Sequence, residues 1–164
     1  MESNVRDPRA EERAESVERL IKAGPAQVFS VICDIRRHAA FDGSGMLRGE
    51  PRGPDRLVLG SRFTMGMKQK GAPYRSINTV VEYAEDELIA WETAGEFRGR
   101  KFVGGQRWRY ELTPQRGGTL VSHSYVWGYA TLPKLTVQLP GFPAKMRTSM
   151  VHSLANLERE VISG

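Results

Sequence analysis

Few side chains in this sequence carry groups able to do chemistry, and His123 leads them. It stands between Val121 and Tyr125 in an alternating run, on the parity that reads as inward. A neutral imidazole facing an apolar pocket can act as a base or a hydrogen-bond donor near physiological pH. The competing reading is a histidine satisfied by a neighbour or turned to solvent. Tyr83, Tyr110 and Tyr125 each offer a hydroxyl at the end of an apolar ring, and plain packing competes with that role too. His123 and Tyr125 are therefore the candidate catalytic residues. Arg19 shares the parity of Val17 and Ile21. A guanidinium there would bind a ligand carboxylate if it reached a pocket, and would do nothing comparable at an edge or on the surface. His38 and Asp42 are spaced to share a helical face, but the breaker Gly43-Ser44-Gly45 follows at once.

Other chemistries lack their residues. His38, His123 and His152 have no ligand spacing, and Cys33 adds little, so neither a metal nor another cofactor is expected. Gly95, Gly99, Gly104 and Gly105 precede no GK[ST] and no helix, which excludes a phosphate loop of that type. There is no Gly-x-Ser-x-Gly elbow. The single cysteine rules out an intramolecular disulfide and fits a reducing compartment. With no apolar leader at the start and no apolar run of about 18 residues, the expectation is a cytoplasmic protein without integral membrane association.

The elements that must hold these residues follow from periodicity. Residues 1–12 read as a flexible tail and 13–164 as one ligand-binding domain. Alternation from Ala14 to Ala23 predicts a strand, and Pro25 then opens a helix whose apolar stripe is Val28, Phe29, Val31 and Ile32. A second short helical turn spans Ile35 to Phe41. Residues 46–60, rich in Gly and Pro, predict a short irregular strand and a loop. Phe63, Met65 and Met67 alternate along the next strand. Ile77, Thr79, Val81 and Tyr83 read as one face of the strand after it, opposite Ser76, Asn78 and Glu82. Leu88 to Thr93 is a further strand. Residues 94–105 hold four glycines and predict a long hairpin tip, in which Phe97, Phe102 and Val103 cover something. Trp108, Tyr110 and Leu112 then point inward from a cleanly alternating strand, and Val121, His123, Tyr125 and Trp127 share one face of the last. Prolines 133, 140 and 143 mark a linker. Met146, Met150, Leu154, Leu157 and Val161 recur at helical spacing to about Ile162, with Ser149 and Ser153 on the same stripe.

An antiparallel meander with one long helix has one apolar face to cover and only one line of cover. The remainder must be closed by loops and short helices or filled by a ligand. The helix stripe carries flexible Met and small Ser where dense packing would favour bulky branched residues, and Met adapts to irregular shapes. The expected walls are Phe63, Met65, Met67, Val81, Tyr83, Trp108, Tyr110, His123, Tyr125, Met146, Ser149 and Met150.

Ile21-Lys22-Ala23-Gly24-Pro25-Ala26-Gln27-Val28-Phe29 with Asp34 beyond it, Phe41 after the second short helix, Gly118-Thr119-Leu120-Val121 opening the last strand, and Leu154 and Leu157 together resemble the START and birch-pollen-allergen superfamily (SRPBCC). Within it they are similar to bacterial polyketide cyclase/dehydrase-like proteins, over about residues 14–162. The resemblance implies an α+β helix-grip fold: a curved antiparallel sheet of about seven strands wrapped around a C-terminal helix, with two short helices after the first strand. It implies binding of a lipid, polyketide or other hydrophobic small molecule, or a cyclase or aromatase, and supplies no universal catalytic residue.

The formal net charge is +5. The basic residues are scattered over loops and one strand, with no recognition helix or aromatic RNA-binding motif, so nucleic acid is not an expected partner. A monomer or homodimer is expected.

Overall fold

The computed structural model describes residues 13–130 and 140–164. The expected tail and most of the expected linker, Pro133 included, lie outside the described residues, as do the side chains of Phe97, Phe102 and Val103.

Strand β1 (Ala14–Ile21) leads through Gly24 into α1 (Pro25–Ile32). Pro25 occupies the first helical turn, where its missing N–H costs nothing, and Gln27 Oε1 accepts from the Gly24 N–H at 3.3 Å. A 3-10 turn (Ile35–Arg37), capped by the Asp34 carboxylate, runs into the single turn α2 (His38–Phe41). Then follow β2 (Leu47–Arg52), β3 (Arg62–Gln69), β4 (Ala72–Ala84), β5 (Leu88–Phe97), β6 (Arg100–Gln115), β7 (Gly118–Val126) and the long helix α3 (Phe142–Ser163). The strands form one seven-stranded sheet in the order β1-β7-β6-β5-β4-β3-β2, with every neighbouring pair antiparallel. Helix α3 crosses β1 and β7 and packs on α1 and α2. This is the helix-grip arrangement. All four residues of the expected α1 stripe are buried, and α3 buries Met146, Met150, Ser153, Leu154, Leu157 and Val161.

Two of the sheet's bulges each correct an expectation from the sequence. In β4 the register jumps from Val80 opposite Trp91 to Glu82 opposite Ala90, so Val81 is the extra residue. A one-residue insertion reverses side-chain parity. The buried face before it is therefore Ser76, Asn78 and Val80, at 4%, 4% and 2% exposure. Ile77, Thr79 and Val81 are only half-buried. Polar side chains on a core face hide that face from a hydropathy pattern. In the second bulge, Thr93 faces Gln106 and Ala94 faces Gly104. The intervening Gly105 has φ +99°, and an added Cβ would lie 2.1 Å from the Tyr129 carbonyl oxygen. Only glycine meets both conditions. The expected long tip at 94–105 is instead mostly strand. β5 and β6 continue to a tight turn at Arg98-Gly99, whose φ values of +51° and +74° suit a two-residue hairpin loop.

On the outer face the basic strand β6 is met by acids from β4, β5 and β6 itself. Arg107 bonds Glu92 at 3.3 Å, and Arg109 bonds Glu82 at 3.2 Å and Glu111.

Candidate functional site

The line along which α3 covers the sheet leaves room beside it. A cavity of about 370 Å³ lies there, within the size class of small-molecule sites. Its walls are of two kinds.

One wall is aromatic. His38 stacks on Trp91 with centroids 5.3 Å apart, Trp91 lies 5.7 Å from Tyr110, and Tyr110 stacks on His123 at 3.9 Å and 14°. Trp108 continues the series, 5.7 Å from His123 and 4.7 Å from Tyr125. Strand pairing imposes this continuity. Tyr110 is opposite His123 and Trp108 opposite Tyr125 across β6–β7, and Trp91 is opposite Trp108 across β5–β6. Aromatic cross-strand neighbours of this kind also stabilise the sheet.

Five thioethers also line the cavity: Met65 and Met67 from β3, Met46 before β2, and Met146 and Met150 from α3. Phe63 seals one side, in edge contact with both Trp91 and His38. Thioether sulfur against aromatic rings is a favourable and adaptable packing. Ser149 also lines the cavity. Ser153 lines it too and accepts a hydrogen bond from the Gly43 N–H at 2.8 Å. That bond holds the loop after α2 against α3. An added Cβ on Gly43 would lie 2.4 Å from the Ser149 carbonyl oxygen, so the approach itself requires glycine.

Of the twelve expected wall residues, ten line this cavity and two do not. Phe63, Met65, Met67, Trp108, Tyr110, His123, Tyr125, Met146, Ser149 and Met150 come together. Val81 is excluded because it is the bulged residue. Tyr83 packs its ring on Phe29 of α1, with centroids 5.6 Å apart, and its hydroxyl donates to Glu85. That contact lies in the packed part of the core, not at the cavity. Arg19 does not reach the cavity either, since its guanidinium pairs with Glu158 on α3 at a site 44% exposed. His152 is exposed on α3.

Several lining residues escaped the sequence reading. His38 is one, although Ile35, His38 and Phe41 recur every third residue and are all buried, a spacing that could have flagged it. Trp91, Thr93 and Gln106 also line the cavity, as do Ser76 and Asn78. The last two form a closed polar set. Asn78 Nδ2 donates to the Phe63 carbonyl at 3.3 Å and to Ser76 Oγ at 3.2 Å, and Asn78 Oδ1 accepts from Thr93 Oγ1 at 2.7 Å.

Electrostatics keeps the ionisable groups of the interior neutral. His38 Nε2 donates to the Ile32 carbonyl at 2.7 Å, yet burial still pushes its imidazole down to about 4. His123 is 3% exposed and, among the described residues, neither ring nitrogen has a hydrogen-bond partner; burial pushes it down to about 3. Burial raises the Tyr125 hydroxyl to about 12 against the lowering effect of its bond with Gln106, and raises Tyr110 further, helped by the Asp42 charge. Burial likewise lifts the Cys33 thiol to about 12, so it is no nucleophile. Among the described residues no group of His, Cys, Asp and Glu could hold a metal ion, and no helix is long and apolar enough to cross a membrane.

A seven-stranded grip around a terminal helix, with an aromatic and thioether cavity between them, defines a helix-grip protein of the START-like, SRPBCC class. The chain belongs to the polyketide cyclase / dehydrase and lipid transport family, whose model matches residues 14–161. It is 38% identical over 92 residues to the uncharacterized protein Rv0088 of Mycobacterium tuberculosis, a stretch that is 56% of this chain and 37% of that protein. The match thus spans little more than a third of that curated relative. Among solved structures it is similar to protein CV1439 from Chromobacterium violaceum, with a TM-score of 0.67 and 16% identity over 92% of this chain and 97% of the other. It is also similar to DynU16, described as a protein in the dynemicin biosynthetic locus, with a TM-score of 0.62 and 14% identity over 92% of this chain and 48% of the other. At these identities the likeness shows the fold alone.

Proposed function

We propose that this protein binds a lipophilic small molecule in the cavity between the sheet and α3. The single observation that supports this reading most is the cavity of about 370 Å³ beside a helix that packs well elsewhere, lined by aromatic rings and methionines. Natural interiors are filled to crystal-like density, so a space of this size with few free polar groups suits an apolar occupant.

A second reading, a cyclase or aromatase using His123 or Tyr125 as acid and base, is favoured by the unpartnered His123 nitrogens. It ranks below binding for a physical reason. An efficient general acid or base has a pKa near the working pH, whereas burial drives His123 down to about 3 and Tyr125 up to about 12.

Native mass spectrometry of protein taken straight from cells tests the first reading. A retained small molecule, displaced by the neutral fluorophore N-phenyl-1-naphthylamine, is the expected result. A protein that carries no molecule and binds no apolar probe would sink it. For the second reading, His123→Ala must abolish turnover of a proven substrate while leaving its binding measurable.

A further inference from the structure

The charge inventory of the cavity walls narrows the kind of molecule that fits. Among the described lining residues there is no Lys and no Arg, although the chain has 24 of them. The one carboxylate is Asp42, which accepts from Ser44 Oγ at 2.7 Å. Both lining imidazoles are at least nine-tenths buried, and His123 has no carboxylate partner to hold a proton on it. Two cations close to the walls are committed elsewhere, and a third, Lys145 of α3, holds its Nζ 6.0 Å from the ring of the lining residue Phe142 without itself lining the cavity. Arg19, which has the parity to point inward, pairs with Glu158 on α3. Arg48, on β2 beside the lining residue Leu47, donates to the Gly45 and Leu47 carbonyls, both at 2.7 Å. The lining amide of Asn78 is also engaged, donating to Phe63 and Ser76.

An anionic group entering this space would shed its hydration, meet no counter-ion among the described lining side chains and face the Asp42 charge. Resting on the cavity reading above, we propose that the site selects electrically neutral lipophilic molecules and rejects carboxylates, sulfonates and phosphates built on the same skeleton. The selection runs against the surface: a chain of net charge +5 attracts anions from a distance, and the discrimination is made inside.

Two fluorophores that share one skeleton test this on the intact protein. N-phenyl-1-naphthylamine is neutral, and 8-anilinonaphthalene-1-sulfonate is the same ring system with a sulfonate. Only sulfonate signal that the neutral probe displaces counts as cavity binding, because basic side chains outside the cavity can also hold the anion. The expected result is a Kd about tenfold or more tighter for the neutral probe at neutral pH. Displaceable sulfonate binding as tight as that of the neutral probe would overturn the proposal. Absence of binding by both probes is a different failure, since it overturns the cavity reading and takes this inference with it. Asp42→Asn, which keeps an acceptor for Ser44, is expected to narrow the gap several-fold; an unchanged gap would remove Asp42 from the explanation.

Discussion

Replacing His123 with Phe is expected to stabilise the protein, and more so as the pH falls. The ring stacks 3.9 Å from Tyr110, and neither of its nitrogens has a partner. A buried polar group left without a hydrogen bond costs about 1–3 kcal/mol. Phe keeps the stacked ring and removes the stranded nitrogens, so His123→Phe should gain about 1–3 kcal/mol near pH 7.5, or a few degrees in Tm at about 2–4 °C per kcal/mol for a chain of this size. The pH dependence is sharper. The folded-state pKa of His123 is lowered from 6.5 to about 3, so an acidic medium protonates the unfolded chain first. Its contribution is therefore fully present above about pH 6.5 and is lost as the pH falls toward about 3. At up to about 1.4 kcal/mol per pH unit, the wild type loses about 2.3 kcal/mol through this residue between pH 6.5 and 4.5, and the variant does not. His38 and every carboxylate are common to both proteins and cancel in the difference. Urea unfolding of the two proteins at several pH values measures it directly. A difference in stability that stays flat from about pH 7.5 to 4.5 would refute the reasoning, because His123 would then titrate alike in folded and unfolded chains. A variant less stable at neutral pH would show that a ring nitrogen is hydrogen-bonded after all.

Gly105→Ala should cost more than about 2 kcal/mol, because φ is +99° and a Cβ would meet the Tyr129 carbonyl; thermal unfolding reports it. Met146→Trp should fill the cavity and cut binding of N-phenyl-1-naphthylamine at least about tenfold, with stability changed by no more than about 1–3 kcal/mol. Binding unaffected by that substitution would place the probe elsewhere. Arg19→Ala should leave probe affinity unchanged and cost at most about 1 kcal/mol, since its pair with Glu158 is exposed; a loss of affinity would return Arg19 to the site. Met150→Ala, at a fully buried position on α3, should cost about 2–5 kcal/mol in urea unfolding.

Local chemistry carried the plan of the fold. Pro25 at a helix start, the alternation of Trp108, Tyr110 and Leu112, and the helical recurrence of Met146, Met150, Leu154 and Leu157 are each written in neighbouring residues, because helix and strand periodicities are properties of a short stretch of backbone. The same locality made His123 and Tyr125 recognisable as one face of β7. What tertiary structure alone decided is where local periodicity is interrupted or outvoted. The bulge at Val81 is a feature of strand pairing that no local pattern announces, and it exchanges Val81 for Ser76 and Asn78 on the inner face; a polar residue is stable there only once Phe63 and Thr93 arrive from β3 and β5 to bond it. Gly105 belongs to a strand and not a loop, and it must be glycine because the Tyr129 carbonyl, just past the neighbouring strand β7, lies against it. The cavity, and the burial that keeps the imidazoles within it neutral, depend on where α3 passes over the sheet, and distance in space between residues so far apart in sequence is a matter no stretch of the chain contains by itself.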